Sequence, residues 1–138
     1  MLRALRFLGF GERAVVTVAC DDQDNVRLDV LEQALGAING PTIVVVECGN
    51  VNTGAFDDFA AGADLIDAHR AAGSPAWVHV DGAVMLLAAA SPAMAGQVAG
   101  LDRLDSWSTP GRPTGTSSST PTTAASRSAA TRPLIAPR

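Results

Sequence analysis

The sequence predicts an α/β fold built on a parallel or mostly parallel sheet. Two observations carry that prediction. Short runs rich in β-branched residues, at 14–19, 42–47 and 77–80, alternate with stretches whose apolar residues recur every three or four positions. Glycine and proline stand at the junctions between them, where the backbone changes direction. The order β-α-β-α-β then calls for right-handed crossovers with helices packed on the sheet.

Each element follows from its own text. Residues 1–8 have helical apolar spacing and stop at Gly9 and Gly11. Residues 14–19 read as a strand, and 21–25 as a polar turn. Leu28, Leu31, Leu35 and Ile38 line one helical face, with Asp29 and Glu32 spaced as a capping box, and Gly40-Pro41 ends the element. Residues 42–47 form a nearly continuous apolar run, the pattern of a strand covered on both faces. Phe56, Phe59, Ala63 and Ile66 carry a second helical stripe, closed by Gly73-Ser74-Pro75. Asp57 and Asp58 open that helix, where carboxylates suit its N-terminus. Residues 77–80 form a third strand ending at Asp81, short helices cover 83–90 and 92–98, and 104–108 form a fourth strand.

The text changes after residue 108. Residues 109–138 hold seven Thr, five Pro, five Ser, five Ala, four Arg and two Gly, with Leu134 and Ile135 as the large apolar residues. Such a stretch buries too little surface to offset its ordering entropy, so a disordered tail is expected. Two domain assignments follow: a folded unit at 1–108 and a Ser/Thr/Pro/Ala-rich tail at 109–138.

Bulk properties narrow the function. The chain has 138 residues, 47% of them hydrophobic and 17% charged, which suits a globular core. No apolar run has the length of a membrane span, and no signal peptide is read at the N-terminus. Fourteen acidic residues against six arginines leave residues 1–108 strongly negative, which argues against nucleic-acid binding. Cys20 and Cys48 have no CxxC spacing, so reduced thiols in a cytoplasmic protein are expected. His69 and His79 make no metal-ligand cluster with the cysteines, and Ser106 and Ser108 lack a nucleophile-elbow motif. All ten basic residues are arginine, and the sequence contains no lysine and no tyrosine.

In a parallel sheet, ligands sit beyond the carboxyl ends of the strands. That rule selects the loop 49–55 and the segment 81–83. Asp81 is the sharpest candidate. A carboxylate at the end of a buried strand needs a partner. It either caps the following helix or pairs with a protonated ring nitrogen such as that of pyridoxal phosphate, which makes the ring an electron sink. Ala83 is small enough to lie against such a ring. His79 shares the sheet face of Asp81 and serves either as a satisfied core histidine or as a contact to a carboxylate or substrate. The glycine-flanked polar loop Gly49-Asn50-Val51-Asn52-Thr53-Gly54 is either an ordinary turn or a donor set for a phosphate or carboxylate.

Four segments, taken in order and spacing, resemble the group II pyridoxal-phosphate-dependent amino-acid decarboxylases, the glutamate and aromatic amino-acid decarboxylase family. They are Gly49-Asn50-Val51-Asn52-Thr53-Gly54-Ala55-Phe56-Asp57, Trp77-Val78-His79-Val80-Asp81-Gly82-Ala83, Ala88-Ala89-Ala90-Ser91-Pro92, and Ala99-Gly100-Leu101-Asp102-Arg103-Leu104-Asp105-Ser106-Trp107. The resemblance covers about residues 1–109. It implies an incomplete mostly parallel sheet of a fold-type I large domain, a homodimer, and loss of an amino-acid α-carboxylate as CO₂. It implies pyridoxal 5'-phosphate as cofactor, with Asp81 at the pyridine nitrogen and Ala83 at the ring face. It also places Asn50 and His79 on the cofactor side.

Departures from the family pattern shape the expectation. The family continues past its Ser-Trp strand with an acid, a small residue, His and the lysine that forms the Schiff base. Here those positions read Pro110, Gly111, Arg112 and Pro113, and no other lysine can substitute. The resemblance further implies a phosphate-binding segment before Met1 and a small domain after the tail. Val84-Met85-Leu86-Leu87 stands where the family has more aromatic text. The tail is either a natural Ser/Thr/Pro-rich linker or the product of a frame shift near Thr109. In a frame offset by one base, TCN serine codons across Thr116–Ser119 become NTC codons for Phe, Leu, Ile or Val. The expected function is therefore a decarboxylase-like chain without turnover of its own. Two alternatives stand beside it: a non-catalytic module that pairs with a full-length subunit, or a relative of fold-type I aminotransferases or cysteine desulfurases.

Overall fold

A computed structural model describes residues 6–109 and 131–135 of the chain. A 3-10 turn at Glu12–Ala14 leads into strand β1 (Val15–Ala19). Helix α1 (Leu28–Gly36), strand β2 (Thr42–Glu47), helix α2 (Phe59–Ala71) and strand β3 (Ala76–Asp81) follow. Three 3-10 segments, Leu86–Ala90, Pro92–Val98 and Leu101–Arg103, lead to strand β4 (Ser106–Ser108). Strand β5 is Thr131–Ile135. Of the helix expected at 1–8, Arg6, Phe7 and Leu8 are described; Arg6 and Phe7 are helical and Leu8 already lies in a turn.

The five strands form one sheet in the order β1-β5-β2-β3-β4. β2 and β3 pair in parallel from Thr42↔Ala76 to Glu47↔Asp81, and β3 and β4 pair in parallel from His79↔Ser106 to Asp81↔Ser108. These three parallel strands are the α/β architecture that the alternating pattern predicts.

The centre of the sheet departs from the sequence reading. β5 runs antiparallel between β1 and β2, so β1 and β2 point the same way without touching. Nothing in the composition of 109–138 announces this strand. Its backbone supplies partners to the facing flanks of β1 and β2, whose amide and carbonyl groups would otherwise be left open. The ladder to β2 covers only Ile43↔Ile135 and Val44↔Leu134, whereas the ladder to β1 covers all five residues. The next residue along β5 is Pro133, which has no N–H to donate to a second neighbour. The remainder of the tail, 110–130 and 136–138, lies outside the described residues, and so does Pro113.

One face of the sheet carries the core. Val18, Val44, Val46, Val78 and Val80 are buried against Leu31 and Leu35 of α1 and Phe59 and Ile66 of α2. The burial of Val44, Val45 and Val46 together fits the continuous apolar text of β2.

Two acids play roles other than those expected. The capping box at Asp29 does not form. The N-cap of α1 is Arg27, whose side chain makes no capping bond and instead pairs with Asp29 at 2.6 Å. Asp29 lies inside the helix, two positions past the N-cap. At α2, Asp58 is the N-cap and accepts the Ala61 N–H at 3.0 Å. Asp57 does something else. It is buried, its Oδ1 accepts the Val26 N–H at 2.6 Å, and its Oδ2 accepts the Glu47 N–H at 2.7 Å.

Arginines fasten α2 to the segment before β4. Arg70 donates to the Ala76 carbonyl through Nε at 3.1 Å and Nη2 at 2.9 Å, and its guanidinium pairs with Asp105. Asp105 Oδ2 also accepts the Val78 N–H at 2.6 Å, which sets β4 beside β3. Arg103 reaches Asp64 and Asp67 at 2.7 Å each, and its hydrogen bond holds the Asp67 carboxyl below its ordinary value.

Candidate functional site

The carboxyl ends of β2, β3 and β4 are stitched into one surface. The Cys48 N–H donates to the Asp81 carbonyl at 2.9 Å, and the Gly82 N–H donates to the Ser108 carbonyl at 3.0 Å. The Met85 N–H donates to the Cys48 carbonyl at 3.3 Å. Two glycines permit this closeness. Gly49 has φ +86°, and a Cβ there would collide with the Met85 side chain. A Cβ on Gly82 would collide with the Ser108 carbonyl and the Leu86 side chain. Cys48 is fully buried beneath this surface, and burial pushes its thiol up to about 11.

Asp81 ends β3 half-buried on this surface. Its Oδ1 accepts the Ala83 N–H at 3.2 Å, a local bond two residues on. The next 3-10 segment begins only at Leu86, so Asp81 does not cap a helix. Its Oδ2 takes no hydrogen bond among the described residues. The arrangement therefore presents one carboxylate oxygen with acceptor capacity in hand, beside the small side chain of Ala83.

His79 lies on the same face, two residues back, half-buried. Its Nδ1 is 2.9 Å from Ser106 Oγ, which also receives the Trp77 indole N–H at 2.8 Å. Ser106 stands in no nucleophile motif that would mark it in the sequence. Its role as the hub of β3 and β4 depends on parallel register, which a single strand's text does not carry.

Asn50 stands apart from that group. It is buried at 2% exposure, and its side chain is engaged at both ends. Oδ1 accepts the N–H groups of Asn52 at 2.8 Å and Thr53 at 3.2 Å. Nδ2 donates to Asp24 at 3.3 Å and to Glu47 at 3.2 Å. The loop 49–55 is thus folded around the Asn50 side chain, and Thr53 ties it to the Gln23 carbonyl at 2.8 Å. Of the four sequence-selected residues, the structure brings Asp81, Ala83 and His79 together and gives Asn50 the loop to hold.

No helix among the described residues is long and apolar enough to cross a membrane. No family model and no curated protein matches the chain. Solved structures do. Mouse CSAD in its apo form superposes with a TM-score of 0.64 at 29% identity. Oryza sativa TDC crystallised with PLP gives 0.64 at 29%. In both cases the match covers 78% of this chain and 23% of the other. Catharanthus roseus tryptophan decarboxylase, in complex with L-tryptophan, gives 0.65 over the same shares; its 18% identity speaks for the fold alone. The chain spans about a quarter of the length of these relatives.

Proposed function

We propose, from the similarity of this chain to one segment of the group II pyridoxal-phosphate decarboxylases, that it carries the cofactor-ring side of such a site without decarboxylase turnover of its own. The carrying observation is a strand-end Asp81 with an open carboxylate oxygen in a sequence that has no lysine. The donor set fits the ring half of pyridoxal phosphate. Asp81 Oδ2 would accept the pyridine N–H, and Ala83 would leave room for the ring. When bound, the cofactor supplies the electron sink for a bond broken at an amino acid's α-carbon.

The other residues serve the site in their own ways. With the cofactor bound, Asp81 would hold a proton at the ring nitrogen by offering it a negative charge. His79 adds a polar contact on the same face. Asn50 acts on the site through the loop 49–55, whose backbone it holds. The covalent hold is what this sequence lacks, since Pro113 occupies the family's lysine position. The substrate class that goes with this reading is an amino acid, in a homodimeric cytoplasmic setting.

A second reading has its own support. Trp77, Trp107, Phe7 and Leu87 are all more than half exposed, an unusual display for a small domain. A module that pairs with a full-length decarboxylase subunit would cover such residues, and co-purification with that subunit would favour it.

The test adds pyridoxal phosphate to the 138-residue chain and records absorbance before and after borohydride, with mass spectrometry and a CO₂ assay on amino acids. The expected result is no adduct on a side chain and no CO₂ release. Adduct at the α-amine without CO₂ leaves the reading in place, whereas CO₂ release overturns it. We also infer a frame shift near Thr109 as the origin of the tail. Coding DNA in which neither alternative frame restores a His-Lys segment would exclude it.

A further inference from the structure

On the face of β3 that carries Asp81, three side chains form one hydrogen-bond chain. Trp77 Nε1 lies 2.8 Å from Ser106 Oγ, and Ser106 Oγ lies 2.9 Å from His79 Nδ1. Trp77 and His79 share this face because they are two residues apart on a strand. Ser106 stands opposite His79 in the parallel register with β4.

The protons can be assigned by elimination. An indole N–H only donates, so Ser106 Oγ accepts from Trp77. A serine hydroxyl has one hydrogen of its own, and His79 Nδ1 is the protein acceptor in reach of it. A proton on Nδ1 would make Ser106 Oγ accept twice, which its two lone pairs allow, but would leave the hydroxyl hydrogen with no acceptor among the described residues. The arrangement in which every donor is used runs Trp77 to Ser106 to His79, and it puts the imidazole proton on Nε2.

We infer that Ser106, with Trp77 behind it, is a positioning residue that fixes neutral His79 as the Nε2–H tautomer. His79 then has one donor, Nε2–H, left to give, and no other bond to it exists among the described residues. Asp81 offers an acceptor on the same face. The pair suits a ligand that carries both a ring N–H or similar donor and an acceptor oxygen. This inference rests on the proposed function only for placing His79 at a ligand site; the tautomer stands on the three side chains alone.

Long-range proton–nitrogen correlation spectra of the imidazole rings test it directly. The chain has two histidines and two tryptophans, so His69→Gln and Trp107→Phe complete the assignment. The spectra are recorded on the whole chain at about pH 8.5, where an ordinary imidazole is neutral. The expected spectrum shows His79 Nδ1 bare and Nε2 protonated. Ser106→Ala lowers the tautomer ratio roughly fivefold, the factor that one neutral hydrogen bond commands, and shifts the Trp77 indole signal. Ser106→Thr, which keeps the hydroxyl, restores the ratio. Trp77→Phe lowers it in the same direction by freeing Ser106 to accept from Nδ1. A proton found on Nδ1 in the unmodified chain, or a ratio unmoved by either Ser106→Ala or Trp77→Phe, overturns the inference. CO₂ release in the cofactor assay would sink the proposed function and leave these spectra as they are, so the two fail separately.

Discussion

The carboxylate of Asp57 accepts the backbone N–H of Val26 at 2.6 Å across 31 positions of sequence. Its other oxygen takes the Glu47 N–H at 2.7 Å, so one side chain ties the entry of α1 to the end of β2. Hydrogen bonds to a charged acceptor contribute more than neutral ones, and Asp57→Ala is expected to cost about 3 kcal/mol. Asp58→Ala removes a single N-cap and should cost about 1 kcal/mol. Urea unfolding of the two variants measures the difference. Equal costs would reduce Asp57 to a second cap.

Asp81 should behave in the opposite way. It is half-buried and holds one 3.2 Å bond to the Ala83 N–H. Its removal therefore costs little, and Asp81→Ala should change unfolding free energy by less than about 0.5 kcal/mol. A residue kept for a ligand shows this pattern, since its second oxygen serves no partner among the described residues. A loss comparable to that of Asp57→Ala would mark Asp81 as structural.

Cys48 gives a pH signature. Burial raises its thiol from 9.0 to about 11. Above pH 9 the unfolded thiol releases its proton while the folded one keeps it, so the unfolded state binds fewer protons and stability falls as pH rises from 9 towards 11. The sequence has no lysine and no tyrosine to obscure that window. Cys48→Ala should flatten the slope in chemical unfolding measured across it. An undiminished slope in the variant would trace the effect to another group.

Glycine substitutions should divide by crowding. Gly49→Ala meets both a left-handed backbone and the Met85 side chain, and should cost about 2–4 kcal/mol. Gly82→Ala has no unusual φ but presses on the Ser108 carbonyl, and should weaken the β3–β4 junction. Gly62→Ala, inside α2 with open space at its Cβ, should stabilise by about 0.5–1 kcal/mol. Thermal melts of the three variants would show whether that order holds.

These contrasts mark what a sequence conveys about this molecule. β2 was legible because four apolar residues and a β-branched threonine in a row, bounded by Gly40-Pro41 and Gly49, leave little choice of structure. β3 and the half-buried Asp81 at its end were legible for the same reason. Asp57 was not, because its two partners lie 31 and 10 positions away and only the fold brings them near. Ser106 was hidden likewise, since its meaning depends on standing opposite His79. The text of the loop 49–55 fits an ordinary turn as well as a donor set; that Asn50 turns its polar groups inward is a matter of local geometry. β5 was hidden most deeply. Its pairing is a backbone event, and nothing in the surrounding Ser/Thr/Pro text distinguishes it.

The position of β5 also sets an order of assembly. Ile135 pairs with Val15, so the middle of the sheet waits on residues that leave the ribosome long after its flanks. Until then β1 and β2 have only a gap between them, two strand spacings wide, or roughly 10 Å. Pairing across so much chain is slow, because loop closure must precede its reward. A nascent chain paused before residue 131 would thus present two facing, hydrogen-bond-hungry flanks to the translation machinery and its chaperones.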